Sequence, residues 1–155
     1  MQIDLLIHSA AQLCVVPSAN GKPQRGVHLG NLGLITDGAI AVSNGRVLET
    51  GKTADLRARY QADVELDANG RCVVPGFVDP HTHIPWAGYR ENEFNERLKG
   101  KSYAQIAAAG GGIVSTVDAT RKAPLEELTF LTRARLDRML LHGTTFCEAK
   151  TGYGL

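Results

Sequence analysis

Cysteine is scarce in this 155-residue chain: Cys14, Cys72 and Cys147 are the only three. They are far apart, odd in number and without a CxxC pair, which argues against a disulfide framework and a cysteine zinc knuckle. Three reduced, mostly buried thiols are expected. An excess of one charge is also lacking, since 17 Lys plus Arg face 16 Asp plus Glu, a formal net charge of +1. That balance, without a charged block, offers no electrostatic basis for a nucleic-acid or membrane-surface partner. No apolar run approaches the roughly 18 residues of a spanning helix. The opening "MQIDLLIHSA" has neither the basic nor the apolar region of a secretory leader. With 43% hydrophobic residues and no internal repeat or low-complexity tract, the expectation is an ordinary globular, cytoplasmic chain.

Turn chemistry organises the first half. In "GAIAVSNGRVLETG" two β-type runs flank Asn44-Gly45, the pair that best tolerates positive φ at both corners of a type I′ hairpin turn. "IDLLIHSAAQLCVV" reads as one or two short strands, "SANGKPQRG" as a loop, "KTADLRARY" as a short helix or turn, and "VELDANG" as a strand entering a turn. Residues 1–70 are therefore expected to form a small antiparallel β unit.

From residue 71 the pattern changes. "RCVVPGFVDPHTH" carries a nearly continuous apolar run, as in a strand buried on both faces of a parallel sheet. "SYAQIAAA" predicts a short helix ending at the flexible "GGG". "PLEELTFLTRARLDRMLLHG" predicts a longer one, with Pro124 first, Glu126 and Glu127 in the opening turn, and Gly143 as terminator. Its Leu125, Leu128, Leu136 and Met139 share a face that should pack firmly. "TTFCEAK" predicts a second buried strand and "TGYGL" a loop. Strand, helix, strand is the repeating unit of parallel barrels.

Within "PGFVDPHTHIPWAG" two of the chain's five histidines stand one residue apart. On a strand, positions i and i+2 face the same way, so His81 and His83 present paired imidazoles suited to one divalent ion. Asp79 shares their parity and could orient a ring from behind. Two histidines that simply cap a strand are the structural alternative. His8 and His28 fall in the β unit, and His142 at a helix end favours the helix dipole; none is read as a ligand.

"PGFVDPHTH" resembles the first barrel strand of the amidohydrolase superfamily. That resemblance implies an α/β fold: a metal-dependent hydrolase (β/α)₈ TIM barrel with a small composite β-sandwich. Residues 1–70 would supply sandwich strands and 71–155 the truncated start of the barrel. "DPHTHIPWAGYRENEFNERLKGKSYAQIAAAGGGIVSTVDATR" and "EAKTGYGL" further resemble the imidazolonepropionase family, which hydrolyses 4-imidazolone-5-propanoate to N-formimidoyl-L-glutamate in histidine degradation. The resemblance implies one zinc or iron ion held by His81 and His83. It also implies substrate contacts from Arg90 and Tyr153, and a homodimer; Tyr103 in "KSY" is a weaker substrate-binding candidate, against a helix-start aromatic that packs on the core.

A guanidinium suits the substrate's propionate on chemical grounds too, because it can grip a carboxylate with two parallel hydrogen bonds. The alternative for Arg90 is a solvated charge within "YRENEFNERLKGK", and Glu148 with Lys150 reads as an ion pair supporting a strand end. A whole barrel takes about 250 residues. The family's other metal ligands and its general base are thus expected beyond Leu155, no catalytic acid or base is assigned here, and these residues alone are expected to be inactive. Another cyclic amidohydrolase or deaminase, or a non-catalytic module, are the competing readings.

Overall fold

The computed structural model describes residues 1–18 and 21–154. It divides into two compact units, Met1–Pro75 and Gly76–Leu155. Residues 19 and 20 of the expected 18–26 loop, and Leu155 at the end of "TGYGL", lie outside the described residues.

The first unit holds β1 (Gln2–Cys14), β2 (Leu34–Ser43), β3 (Arg46–Lys52), α1 (Thr53–Arg59), β4 (Gln61–Asp67) and β5 (Cys72–Val73). The Asn44-Gly45 turn forms as expected, with φ of 53° and 70°, and joins β2 to β3. The purely antiparallel unit does not: the sheet order is β3-β2-β1-β4, and both β4 and β5 run parallel to β1. A hairpin can join only antiparallel neighbours, and here α1 provides the crossover that returns the chain beside β1. β1 is one long strand because a bulge at Ser9 (φ 58°) absorbs an irregularity between Ile7 and Ala10. Thr53 pins that bulge: its hydroxyl accepts the Ser9 N–H at 3.0 Å and donates to the Asp37 carbonyl at 3.1 Å.

Ile3, Leu6, Ala39, Ala41 and Leu56 form the core of this unit, with Tyr60 and Ala62 packed against it. Leu6 is fully buried. Leu6→Ala is expected to destabilise the protein by about 2–5 kcal/mol through lost transfer energy and the cavity left behind, read as a lower denaturant midpoint. His8 is a satisfied core histidine, with Nδ1 2.8 Å from Ser9 Oγ and Nε2 3.1 Å from Arg57 Nη2. His28 lies in a 3₁₀ turn, Gly26–His28.

The boundary between units falls five residues later than the expected 70/71 division. The cause is β5, where Cys72 and Val73 pair with Gln12 and Leu13. The apolar run read as one strand is thereby split between two sheets, at Pro75, which has no N–H to donate to a ladder.

In the second unit β6 (Phe77–Thr82) pairs in parallel with β7 (Thr144–Ala149). Between them come α2 (Glu91–Leu98), α3 (Tyr103–Ala108), α4 (Ile113–Lys122) and α5 (Leu125–Leu141). α3 starts on a Ser102/Gln105 capping box. α2 and α4 were not anticipated. The charged stretch is helical, with Glu91 and Glu93 in the first turn and Arg97 in the last, signs that complement the dipole. Glu93 Oε1 then accepts the Gly112 N–H at 2.7 Å, so a side chain of α2 caps α4 after the glycines. Pro124 is the N-cap of α5 rather than its first residue, and His142 its C-cap, Nδ1 donating to the Arg138 carbonyl at 2.8 Å.

Two burial expectations are corrected. β6 is not buried on both faces: Phe77 and Val78 are exposed, as is Phe146 on β7. No residue of α5 is buried either. Each of these strands has a single strand neighbour among the described residues, and one helix cannot cover a parallel pair. The thiols are free as expected, but Cys72 is exposed and Cys14 and Cys147 are only half-buried. No described helix is long and apolar enough to cross a membrane.

Candidate metal and substrate site

Strand alternation brings the two histidines together at the C-terminal end of β6. The His81 and His83 ring centroids are 5.3 Å apart, edge to face. Parallel pairing then delivers the far end of the chain to the same place. Thr82 Oγ1 donates to the Glu148 carbonyl at 2.6 Å, and the Lys150 N–H donates to the Thr82 carbonyl at 2.8 Å. Just past this join, Tyr153 lies with its ring 5.6 Å from that of His83. Gly152 passes so close that a Cβ there would overlap Nδ1 and Cε1 of His83. His83 is thus held between a neighbouring imidazole, a tyrosine ring and bare backbone.

Its Nδ1 is buried without a hydrogen-bond partner. Two adjacent imidazoles, one with an orphaned nitrogen, fit the chemistry of a shared divalent ion. Among the described residues no third His, Cys, Asp or Glu joins them in a metal-holding group. The donor set is therefore partial, two ligands where a catalytic zinc uses three from protein. Asp79 serves otherwise than its parity suggested. Its Oδ1 accepts the backbone N–H of His81 at 3.1 Å.

Beyond Tyr153 lies a small cavity of about 70 Å³, lined by Trp86, Gly88, Arg90, Thr116 and Tyr153. Arg90 is the N-cap residue of α2 and is exposed. Among the described residues it makes no ion pair, so its charge stands free at the cavity. Trp86 stacks edge-on toward Tyr89 at 5.2 Å and toward Tyr153 at 6.5 Å. His81, His83, Tyr153 and Arg90 therefore form one continuous strip across the strand ends and the loop after β6.

Tyr103 is not part of it. At the start of α3 it is 61% exposed, its hydroxyl lying over Gly112. Glu148 and Lys150 pair with each other at 2.8 Å. The Lys150 ammonium, hydrogen-bonded to it, holds the Glu148 carboxyl below the usual carboxylate range. Both side chains are substantially exposed, so this pair contributes little to stability. Sequence reasoning missed Trp86, Thr116 and Gly152. Trp86, the only tryptophan, in the loop just after the histidines, was the one available signal.

This arrangement has close relatives. The chain is 48% identical over 152 residues to the imidazolonepropionase of Chloroflexus aggregans, a match covering 98% of this chain and 35% of that protein. The imidazolonepropionase of Herpetosiphon aurantiacus is 49% identical, with the same coverage. The chain thus spans about a third of the length of these relatives. Among solved structures it is similar to a zinc-bound adenosine deaminase from Xanthomonas campestris, with a TM-score of 0.56 at 23% identity, over 96% of this chain and 29% of that one. An imidazolonepropionase-like composite domain of bacteria matches residues 38–60. The amidohydrolase family profile matches residues 64–152, more than half the chain and the stretch that carries both histidines and Arg90; the chain belongs to the amidohydrolase family.

Proposed function

We propose that this chain is the N-terminal third of a metal-dependent imidazolonepropionase, which hydrolyses the ring C–N bond of 4-imidazolone-5-propanoate to give N-formimidoyl-L-glutamate. The observation that carries this reading is the strip itself: paired imidazoles at one end, the exposed Arg90 guanidinium at the other, and Tyr153 between them. The names of the relatives, at 48% and 49% identity, support it. In this reading β6 and β7 are the first two strands of a (β/α)₈ barrel and the first unit is part of its β-sandwich. A cytoplasmic homodimer completes it.

His81 and His83 would hold a zinc or iron ion, since imidazole suits both. When bound, the ion supplies a water acidified toward neutrality and polarises the ring carbonyl. That chemistry would suit hydrolysis of the ring C–N bond, in which water adds to the carbonyl carbon and the departing nitrogen takes a proton. Arg90 grips the propionate and Tyr153 lies against the ring. The third ligand and the general base come from residues outside this chain, so these 155 residues alone are expected to turn over nothing.

The test is turnover by the whole gene product, purified with its metal, against imidazolonepropionate, cytosine and guanine. Activity on the first alone supports the proposal, whereas activity on a base favours a deaminase. A metal-free, inactive but folded product would favour a non-catalytic module. Arg90→Ala is expected to raise KM about 10–100-fold, because a charge-assisted bidentate contact is worth about 1.5–3 kcal/mol. Arg90→Lys should fall between, keeping the charge without the fork.

A further inference from the structure

Arg135 on α5 has the wrong neighbours for a solvated helix charge. Its Nη1 donates to two backbone carbonyls of the loop after β6, Ile84 at 2.8 Å and Trp86 at 2.7 Å. Its guanidinium carbon lies 3.8 Å from the centroid of the Trp86 ring. One side chain therefore holds both the backbone of this loop and the face of its tryptophan. Its Nη2 is buried without a partner. These contacts tie α5 to the loop that runs from His83 to Arg90.

We infer that Arg135 is a positioning residue for the substrate site, clamping residues 84–90 so that Trp86 and Arg90 meet Tyr153 across the small cavity. The inference rests on the hydrolase reading above for its kinetic form. The loop begins directly after His83 and ends on Arg90, the proposed carboxylate grip. α4 restrains it as well, since the Ala87 N–H donates to Thr120 Oγ1 at 3.1 Å. Arg135 meets both the loop backbone and an aromatic wall of the cavity. Without the clamp, Trp86 is free to turn from Tyr153, and Arg90 loses its fixed distance from the histidines. A misplacement of about 1 Å in a positioning group can lower rates about 100-fold.

The experiment compares wild type, Arg135→Met and Arg135→Lys in the whole gene product, with metal content, KM and kcat for imidazolonepropionate, and the Trp86 emission, taken as the difference from a Trp86→Phe background. Expected for Arg135→Met are unchanged metal content and a KM raised about 10–100-fold, with a smaller change in kcat and a shifted indole emission. Arg135→Lys, which keeps the cation but not the fork, should recover part of the KM. Combining Arg135→Met with Arg90→Ala should add little to Arg90→Ala alone, because both act on one contact. Equal losses of metal, KM and kcat in both variants would mark a purely structural role and overturn the inference. Wild-type kinetics with unshifted emission would overturn it too. If wild type itself fails to turn over the substrate, the hydrolase reading falls, and the emission of Trp86 still decides the clamp.

Discussion

Gly152→Ala is expected to lower metal affinity about 10–100-fold, the scale on which a mispositioned liganding imidazole acts, while both units stay folded. A Cβ at Gly152 would overlap Nδ1 and Cε1 of His83, and the glycine's backbone is outside the left-handed region, so the conflict is steric alone. Relief requires either rotation of the His83 ring, which separates it from His81, or opening of the turn, which withdraws Tyr153. Both damage the strip. Metal content after dialysis against a graded chelator, beside far-UV circular dichroism, measures the effect. Gly154→Ala is the matched control, since its nearest neighbour would be an ordinary contact at 3.6 Å. Wild-type metal retention by Gly152→Ala would remove the case that the backbone here holds His83.

In the whole gene product, His81→Ala and His83→Ala are each expected to abolish stoichiometric metal binding and to lower turnover by roughly 10³-fold or more, as for groups that act as a unit. Two imidazoles are all that the described residues bring together, and a catalytic zinc uses about three protein ligands. Losing either leaves too few to compete with water. The double variant should be no worse than the singles, because the first loss already empties the site. Full activity in either single variant would mean that the pair only caps β6. Metal retained with activity lost would instead place the histidine at the substrate.

Much of the site was legible because it is written in local rules. The i, i+2 spacing of His81 and His83 needs only the strand period to bring their rings together, whereas Arg90 stood out only through the family resemblance, since a lone arginine in a charged stretch reads locally as solvated. Asp79 differs: its carboxylate accepts the backbone N–H of His81, a contact two residues on that strand parity does not reveal. Tyr103 carries no local mark that separates a helix-start ring from a ligand contact, and the fold puts it over Gly112. The helices α2 and α4 escaped because a polar stretch and a glycine run read as solvent and hinge. What anchors them together is Glu93 capping Gly112, a contact across the intervening helix.

By itself the sequence determined the Asn44-Gly45 hairpin, the strand that leads into the two histidines and the long helix before β7. Each depends on residues a few positions apart, where backbone geometry and side-chain chemistry act directly. Only the tertiary structure decided that β4 and β5 run parallel to β1, that Gly152 and Tyr153 close on His83, and that Arg135 grips the loop of Trp86. These depend on contacts such as Thr82 to Glu148, 66 residues apart, which arise from packing and strand register and leave no local pattern to read.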